Sequence, residues 1–133
     1  MKVYLAGAFS RQKEIREVAE QLRSLGIEVT SRWLEEKWPV DPKEWARHRL
    51  ETAFMDIRDL READLLVRFT DDLSGETIPS KLGSCARMFE FGMAWERGMP
   101  IAVIGGPQNV FDALPNITHL PDVEALKKFL QGV

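Results

Sequence analysis

The sequence predicts an α/β domain built on a parallel sheet with helices on both faces. Short apolar runs, "KVYLA", "LLVRF" and "PIAVIGG", recur along the chain with segments of helical periodicity between them. These runs lack the alternation of a sheet with one wet face, so each strand is expected to be buried on both sides. The 133 residues are 44% hydrophobic and 29% charged, the size and balance of a single domain spanning residues 1–133 with its own core.

The elements follow in order. "KVYLA" ends at Gly7 and leads through "GAFSR" into a helix carrying Ile15, Val18, Ala19, Leu22 and Leu25 at helical spacing, which Gly26 stops. "IEVTSRW" reads as a second strand, which makes the opening a β-α-β unit with a right-handed crossover. "DPKEW" starts the next helix: Asp41 can cap it, Pro42 suits its first turn, and Glu44 stands three residues after the cap as in a capping box. Ala46, Leu50, Ala53, Ile57 and Leu60 give that helix one core face as far as Ala63, and Trp45 reads as core. Asp64 opens the third strand, "LLVRF". "TDDLSGETIPSKLGS" is polar, contains Gly and Pro, and reads as a loop on the ligand side of the sheet. A helix through Glu90 follows, ends near Gly98 and passes into the fourth strand. "NITHLP" supplies a short fifth strand, and "DVEALKKFL", with Val123, Leu126, Phe129 and Leu130 on one face, closes the domain. Ligands of such sheets bind beyond the carboxyl ends of the strands, which places "GAFSR", "RWLEE", "FTDD" and "IGGPQN" around one crevice.

Composition narrows the function. Net charge is −3, and Lys and Arg are scattered among acids, which argues against a nucleic-acid polymer and for a small ligand. Cys85 is the only cysteine, so no intrachain disulfide and no cysteine metal centre is expected, and His48 and His119 supply no metal motif. "MKVYLAGAFS" turns polar too soon for a secretion signal, and no apolar run approaches the ~20 residues of a membrane span. A cytoplasmic protein without cofactor or metal is expected. "GG" at 105–106 lacks dinucleotide-binding spacing, and no GxxxxGK[ST] motif is present.

The candidate site residues each admit two readings. Glu90 lies among Met88, Phe89, Phe91, Gly92, Met93, Ala94 and Trp95, and a buried unpaired carboxylate is costly. It is either a desolvated nucleophile or acid-base group in a cleft, or a surface acid paired with Arg87 one turn earlier. Tyr4, the only tyrosine, is either a core aromatic or a phenol donating to such a carboxylate. Asp56 lies beside the core face of its helix and can point along the sheet toward the crevice. Asp59 and Asp64 read as a solvated helix acid and a strand-start acid. Trp33 either stacks on a flat ring or covers the core edge. Ser10, Ser84 and Arg87 stand near helix starts, where anions are favoured, and either serine can instead be a cap.

"VYLAGAF", "DIRDLREADLLV", "FEFGMAWERGMPIAVIG" and "QNVFDALPNITHLP" together resemble, in order and over nearly the whole chain, the nucleoside 2-deoxyribosyltransferase family, including its 2'-deoxynucleoside 5'-monophosphate N-glycosidases. The most specific part is the Glu-apolar-Gly of "FEFG". The resemblance implies a flavodoxin-like three-layer sandwich with a roughly five-stranded parallel sheet. It also implies a catalytic set in which Glu90 attacks the anomeric carbon to form a glycosyl-enzyme, Tyr4 hydrogen-bonds Glu90, and Asp56 serves the leaving base. Gly7, Phe9, Ser10, Trp33, Ser84, Arg87 and Asn109 are the implied substrate-binding residues. Six positions before the nucleophile, the family's transferases carry Asp and its nucleotide hydrolases a Ser that contacts phosphate; here the residue is Ser84, with Arg87 beside it, which points toward a 5'-monophosphate. The turn "GAFSRQ" departs from the Gly- and Arg-containing turn of the nucleotide branch. A serine which that branch takes from a neighbouring subunit falls near Asp112, and Asn109 can contribute instead. A homodimer or larger homo-oligomer is implied, with Phe54, Met88 and Trp95 suited to the interface or to the core. The competing function is a non-catalytic nucleotide-binding or sensing module on the same fold, and after it a flavodoxin-like electron carrier.

Overall fold

The computed structural model describes residues 1–70 and 81–132, and the backbone alone for 81–85. In chain order the elements are β1 (Lys2–Ala6), α1 (Gln12–Ser24), β2 (Glu28–Val29), α2 (Trp45–Glu62), β3 (Leu65–Phe69), α3 (Lys81–Glu96), β4 (Ile101–Ile104), β5 (Ile117–Leu120) and α4 (Val123–Leu130), with short 3-10 turns between several of them. The five strands form one sheet in the order β2-β1-β3-β4-β5, and every pair is parallel. This is the flavodoxin-like strand order, and the expected five-stranded parallel sheet is present. The chain steps from β1 outward to β2, then crosses back to β3 on the other side of β1. That reversal opens a crevice at the carboxyl ends of β1 and β3.

β1, β3 and β4 are buried along nearly their whole length, as their uninterrupted apolar runs require. α1 buries Ile15, Val18, Ala19 and Leu22 on one stripe. Leu25, which the spacing put on that stripe, is 40% exposed because the helix has ended before it. Gly26 terminates the turn with φ +82°, a left-handed conformation that other residues adopt at a cost. α4 seats Leu126 in the core with Val123 and Leu130 packed against it, whereas Phe129 is exposed.

β2 is shorter than "IEVTSRW" suggests, and side chains explain why. The N–H and C=O of Leu5 face the position where β2 would continue. Ser31 Oγ accepts the Leu5 N–H at 2.6 Å, and Trp33 Nε1 donates to the Leu5 carbonyl at 2.7 Å. With both groups of Leu5 satisfied by side chains, the backbone is released into a 3-10 turn at Arg32–Glu35.

Asp41 caps the approach to α2 by accepting the Lys43 N–H at 3.0 Å; the first turn, Pro42–Glu44, is 3-10 and runs directly into the helix. The expected core face of α2 is present only in its second half. Leu60 is buried and Ile57 half-buried, but Ala46, Leu50 and Ala53 are exposed. The cause is length: 18 helical residues span ~27 Å, while a five-residue strand spans ~17 Å, so α2 overhangs the sheet. Because α2 runs antiparallel to the strands, its overhanging half lies above their carboxyl ends, beside the crevice. Trp45 is likewise not core. It is 38% exposed, donates to the Pro39 carbonyl at 2.9 Å and meets Trp38 edge to face.

Asp59 is a second correction. It is 2% exposed rather than solvated, because Arg32 binds it with its backbone N–H (3.0 Å) and its Nε (2.8 Å) and ties the strand-to-turn junction to α2. Asp64 accepts the Lys2 N–H at the start of β1. On the far side, Arg68 of β3 is fully buried, bonds Asp112 at 2.6 Å and lies 5.1 Å from the Phe91 ring centroid. Asp112 also accepts from the backbone N–H groups of Gln108 and Asn109, so the loop between β4 and β5 is anchored to the sheet. No helix among the described residues is long and apolar enough to cross a membrane.

Candidate active site

Four pieces of chain meet above the carboxyl end of β1. Tyr4 is the middle residue of that strand, two before its end, and Gly7 lies just beyond it. A Cβ on Gly7 would fall 2.2 Å from Cδ1 of the fully buried Ile15, so only hydrogen fits and the chain leaves the strand pressed against α1. Phe9 follows. The truncation of β2 places Trp33, then Glu36 and Trp38, along one side. The overhang of α2 contributes Thr52 and Asp56, and α3 contributes Ala86 and Glu90. Together these residues line a cavity of about 180 Å³. An adjoining apolar groove of about 390 Å³ shares Trp38, Thr52, Asp56, Ala86 and Glu90 with it and continues between α2 and α3 past Ile57, Phe89 and Met93.

The position of Glu90 follows from helix periodicity. Arg87, Phe91 and Ala94 are buried on the inner stripe of α3, and Glu90 lies one turn from Arg87 and from Ala94, at the border of that stripe. Its Oε2 accepts a hydrogen bond from the Tyr4 hydroxyl across the cavity floor. Burial pushes the Glu90 carboxyl up; the Tyr4 hydrogen bond and the Arg87 charge pull it back, and the net value is about 7. Tyr4 itself is 1% exposed, and burial together with the Glu90 and Asp56 charges holds its phenol well above its ordinary range, so it remains a donor.

Asp56 is raised further, from 3.8 to about 8, first by burial and then by the charges of Glu90, Glu36 and Asp59, against a smaller opposing effect of Arg32. Its buried Oδ1 has no hydrogen-bond partner among the described residues. At neutral pH the cavity therefore holds a carboxyl that is largely protonated, Asp56, and one near half-ionisation, Glu90. Two acids with separate environments suit separate roles, one giving a proton and the other an electron pair.

Tyr4, Asp56 and Glu90 are thus brought together, along with Gly7, Phe9 and Trp33. Trp33 is 7% exposed, so it is at once a core residue and a wall of the cavity. Other proposed residues lie elsewhere. Ser10 is exposed on the 3-10 turn Phe9–Arg11 and is not among the cavity-lining residues. Arg87 is 1% exposed and acts on Glu90 through its charge rather than by lining the cavity. Asn109 caps the turn Val110–Ala113 by accepting the Phe111 N–H at 2.9 Å, and "IGGPQN" does not reach the cavity. The Ser84 side chain, residues 71–80, on which most of the expected loop falls, and Asp71 and Asp72 of "FTDD" lie outside the described residues. Asp112 is held by Arg68 inside its own subunit.

Glu36 was not singled out by sequence pattern. Its carboxylate is 7% exposed, accepts from Thr52 Oγ1 at 2.8 Å and lies 2.5 Å from His48 Nε2. Its backbone carbonyl takes the Gln12 amide at 2.9 Å. The available signal was an acid just past the carboxyl end of the second strand, between two tryptophans in "RWLEEKW".

Replacing Tyr4 by Phe should preserve the fold, since the ring stays in the core, and remove one donor from Glu90. The Glu90 pKa then rises, so the acid limb of a pH–rate profile should move to higher pH, with kcat lower by ~10-fold. An unmoved acid limb would separate Tyr4 from Glu90 function.

No family model matches the chain, and no curated protein sequence does. Solved structures do. The CMP N-glycosidase of Clostridium botulinum aligns over 100% of both chains with TM-score 0.60 and 18% identity. A 2-deoxyribosyltransferase from Bacillus psychrosaccharolyticus aligns over 96% of this chain and 90% of its own, with TM-score 0.68 and 21% identity. A conserved protein from Enterococcus faecalis V583 aligns over 100% of this chain and 99% of its own, at TM-score 0.64 and 20% identity. From end to end, the chain has the fold that a 2-deoxyribosyltransferase and an N-glycosidase also have.

Proposed function

We propose that the protein breaks the N-glycosidic bond of 2'-deoxynucleosides or their 5'-monophosphates and passes the sugar to another base or to water. The observation that carries this reading is the Tyr4 hydroxyl donating to Glu90 in a cavity also lined by Asp56, whose buried Oδ1 has no hydrogen-bond partner among the described residues and whose pKa is raised to about 8. Glu90 supplies the electron pair for a bond to the anomeric carbon. The pair of the breaking C–N bond goes to the base, which takes the proton of Asp56. Positive charge building on the sugar ring faces Glu90, which first stabilises and then traps it, as in retaining glycosidases. In the second half, a free base or a water displaces Glu90 and returns the proton to Asp56. Trp33, Trp38 and Phe9 supply flat apolar walls for a base. Ser84 is the group assigned to a 5'-phosphate.

The named activities of the two enzymes with this fold support the reaction class. Incubation with single deoxynucleosides and deoxynucleotides, with and without a second base, separates the outcomes. Base exchange identifies a transferase, and free sugar or sugar phosphate identifies a hydrolase. Ligand-induced stabilisation without turnover would instead support a binding module.

The same reading includes a homodimer. Leu50, Phe54 and Phe89 are 59%, 65% and 60% exposed on α2 and α3, next to the open groove, whereas Met88 packs on the core. A second copy covering this face would close the groove. Sedimentation should give twice the chain mass; a monomer at micromolar concentration overturns this part.

A further inference from the structure

We infer that Glu36 selects the nucleobase, and that the site takes basic, amino-substituted bases of the cytosine or adenine type over their oxo counterparts, uracil and hypoxanthine. The inference rests on the reaction proposed above for the location of the base, but not for its selection.

Glu36 is held in place more firmly than an ordinary turn glutamate. The Gln12 amide bonds its carbonyl and that of Trp33, fixing the turn from below. Thr52 and His48, both on the overhanging half of α2, contact its side chain, and His48 in turn lies 4.8 Å from the Trp38 ring. Both side-chain contacts fall on Oε1. Oε2 has no hydrogen-bond partner among the described residues, and Glu36 is one of the residues that line the cavity; Oε2 is the atom assigned to the ligand there. Exposure of 7% means that a donor meeting Oε2 does so largely out of water, where a charge-assisted hydrogen bond is strong.

The companions of Glu36 decide the kind of donor. Asp56 and Glu90 line the same cavity, and the charge of Glu36 is one of the causes that raise Asp56. With Asp56 largely protonated, the partly ionised Glu90 beside the Glu36 carboxylate still gives this small space a negative field. An exocyclic amino group presents only hydrogens to it, whereas an oxo group presents a partially negative oxygen. The amino substituent also pushes electron density onto the ring nitrogens, making cytosine and adenine basic, and a negative field increases their proton affinity. Uracil and hypoxanthine are far weaker bases, and a carbonyl facing Glu36 would leave both oxygens without a hydrogen.

The test compares members of pairs that differ only in this substituent. Deoxycytidine against deoxyuridine and deoxyadenosine against deoxyinosine are measured for kcat/KM, as nucleosides and as 5'-monophosphates. The free bases of the same pairs are measured for binding by calorimetry. The amino member should be favoured by about tenfold or more in each pair. Glu36→Gln retains a carbonyl for Thr52 but offers the ligand an amide in place of a carboxylate, and should shrink the preference to about threefold or less at an unchanged melting temperature. Equal or reversed preference in the unmodified protein overturns the inference, as does a preference that survives in folded Glu36→Gln, or failure of every base to bind. If Glu36→Gln does not fold, the unmodified protein's ratios decide. Selective binding of the free bases without any turnover would sink the proposed reaction and leave this inference standing; turnover without selection would do the reverse.

Discussion

Glu90→Ala is expected to lower kcat/KM by ~10³-fold or more, with the cavity walls and substrate binding largely retained. The size follows from what is lost. Without the carboxylate, the proposed bond to the anomeric carbon cannot form, and the charge that stabilises an electron-poor sugar disappears with it. Glu90→Gln should be equally inactive, since it keeps the shape and the contact with Tyr4 but is a poor nucleophile. Acid-quenched protein sampled during turnover should carry the mass of one sugar, or one sugar phosphate, on the peptide containing Glu90, and neither variant should. Full activity in Glu90→Ala would end the nucleophile assignment. Activity lost without a covalent adduct would leave Glu90 as an electrostatic stabiliser only.

The second large effect is on pH dependence. The proposed reaction needs Glu90 ionised and Asp56 protonated, and their values are about 7 and about 8. The kcat/KM profile of the unmodified protein should therefore be a narrow bell with its maximum between those two values. Asp56→Asn should remove the alkaline limb and lower the rate by ~10²- to 10⁴-fold, because an amide cannot deliver a proton. An alkaline limb that persists in Asp56→Asn would assign the acid role to another group.

The same shifts predict stability. Both carboxyls have folded values above their unfolded ones, so the folded state holds these protons more tightly. The stability they contribute is fully present below about pH 4 and is lost as pH rises through about 7 for Glu90 and about 8 for Asp56. Unfolding free energy should fall across that window. At pH 8 Asp56→Asn should be more stable than the unmodified protein by roughly 3 kcal/mol, a figure discounted for the partial exposure of the site. Denaturant titrations at pH 5 and pH 8 measure this directly. A gain that is equal at both pH values would show that burial of the charge is not its cause. A more stable but slower variant is the expected signature of an acid whose burial costs stability and serves the proposed reaction.

Much of this was legible in the chain. The uninterrupted apolar strands required a sheet covered on both faces, and the helical spacing between them required parallel crossovers, because burial is written locally, residue by residue. Glu90 was conspicuous because an acid among Phe, Met and Trp conflicts with its neighbours unless it has work to do. The "FEFG" motif and its companions pointed to Tyr4 and Asp56.

Other features depended on contacts distant in sequence. Whether Asp59 is solvated is decided by Arg32, 27 residues away. Whether the second strand continues is decided by Ser31 and Trp33 reaching Leu5. The apolar positions of α2 repeat evenly along the helix, but the sheet is shorter than the helix, so half of that face is left uncovered among the described residues. The overhang turns a predicted core face into the wall of a cavity and brings Thr52 and His48 to Glu36, a residue without a distinguishing local pattern. By itself, the sequence determined the layers of this protein and singled out the carboxylate proposed here as the nucleophile, since apolar periodicity and a misplaced charge are local properties. Only the tertiary structure decided how Tyr4, Asp56, Glu36 and Glu90 line one cavity, since burial and mutual charge, which shift the protons of Tyr4, Asp56 and Glu90, exist only once distant segments have met.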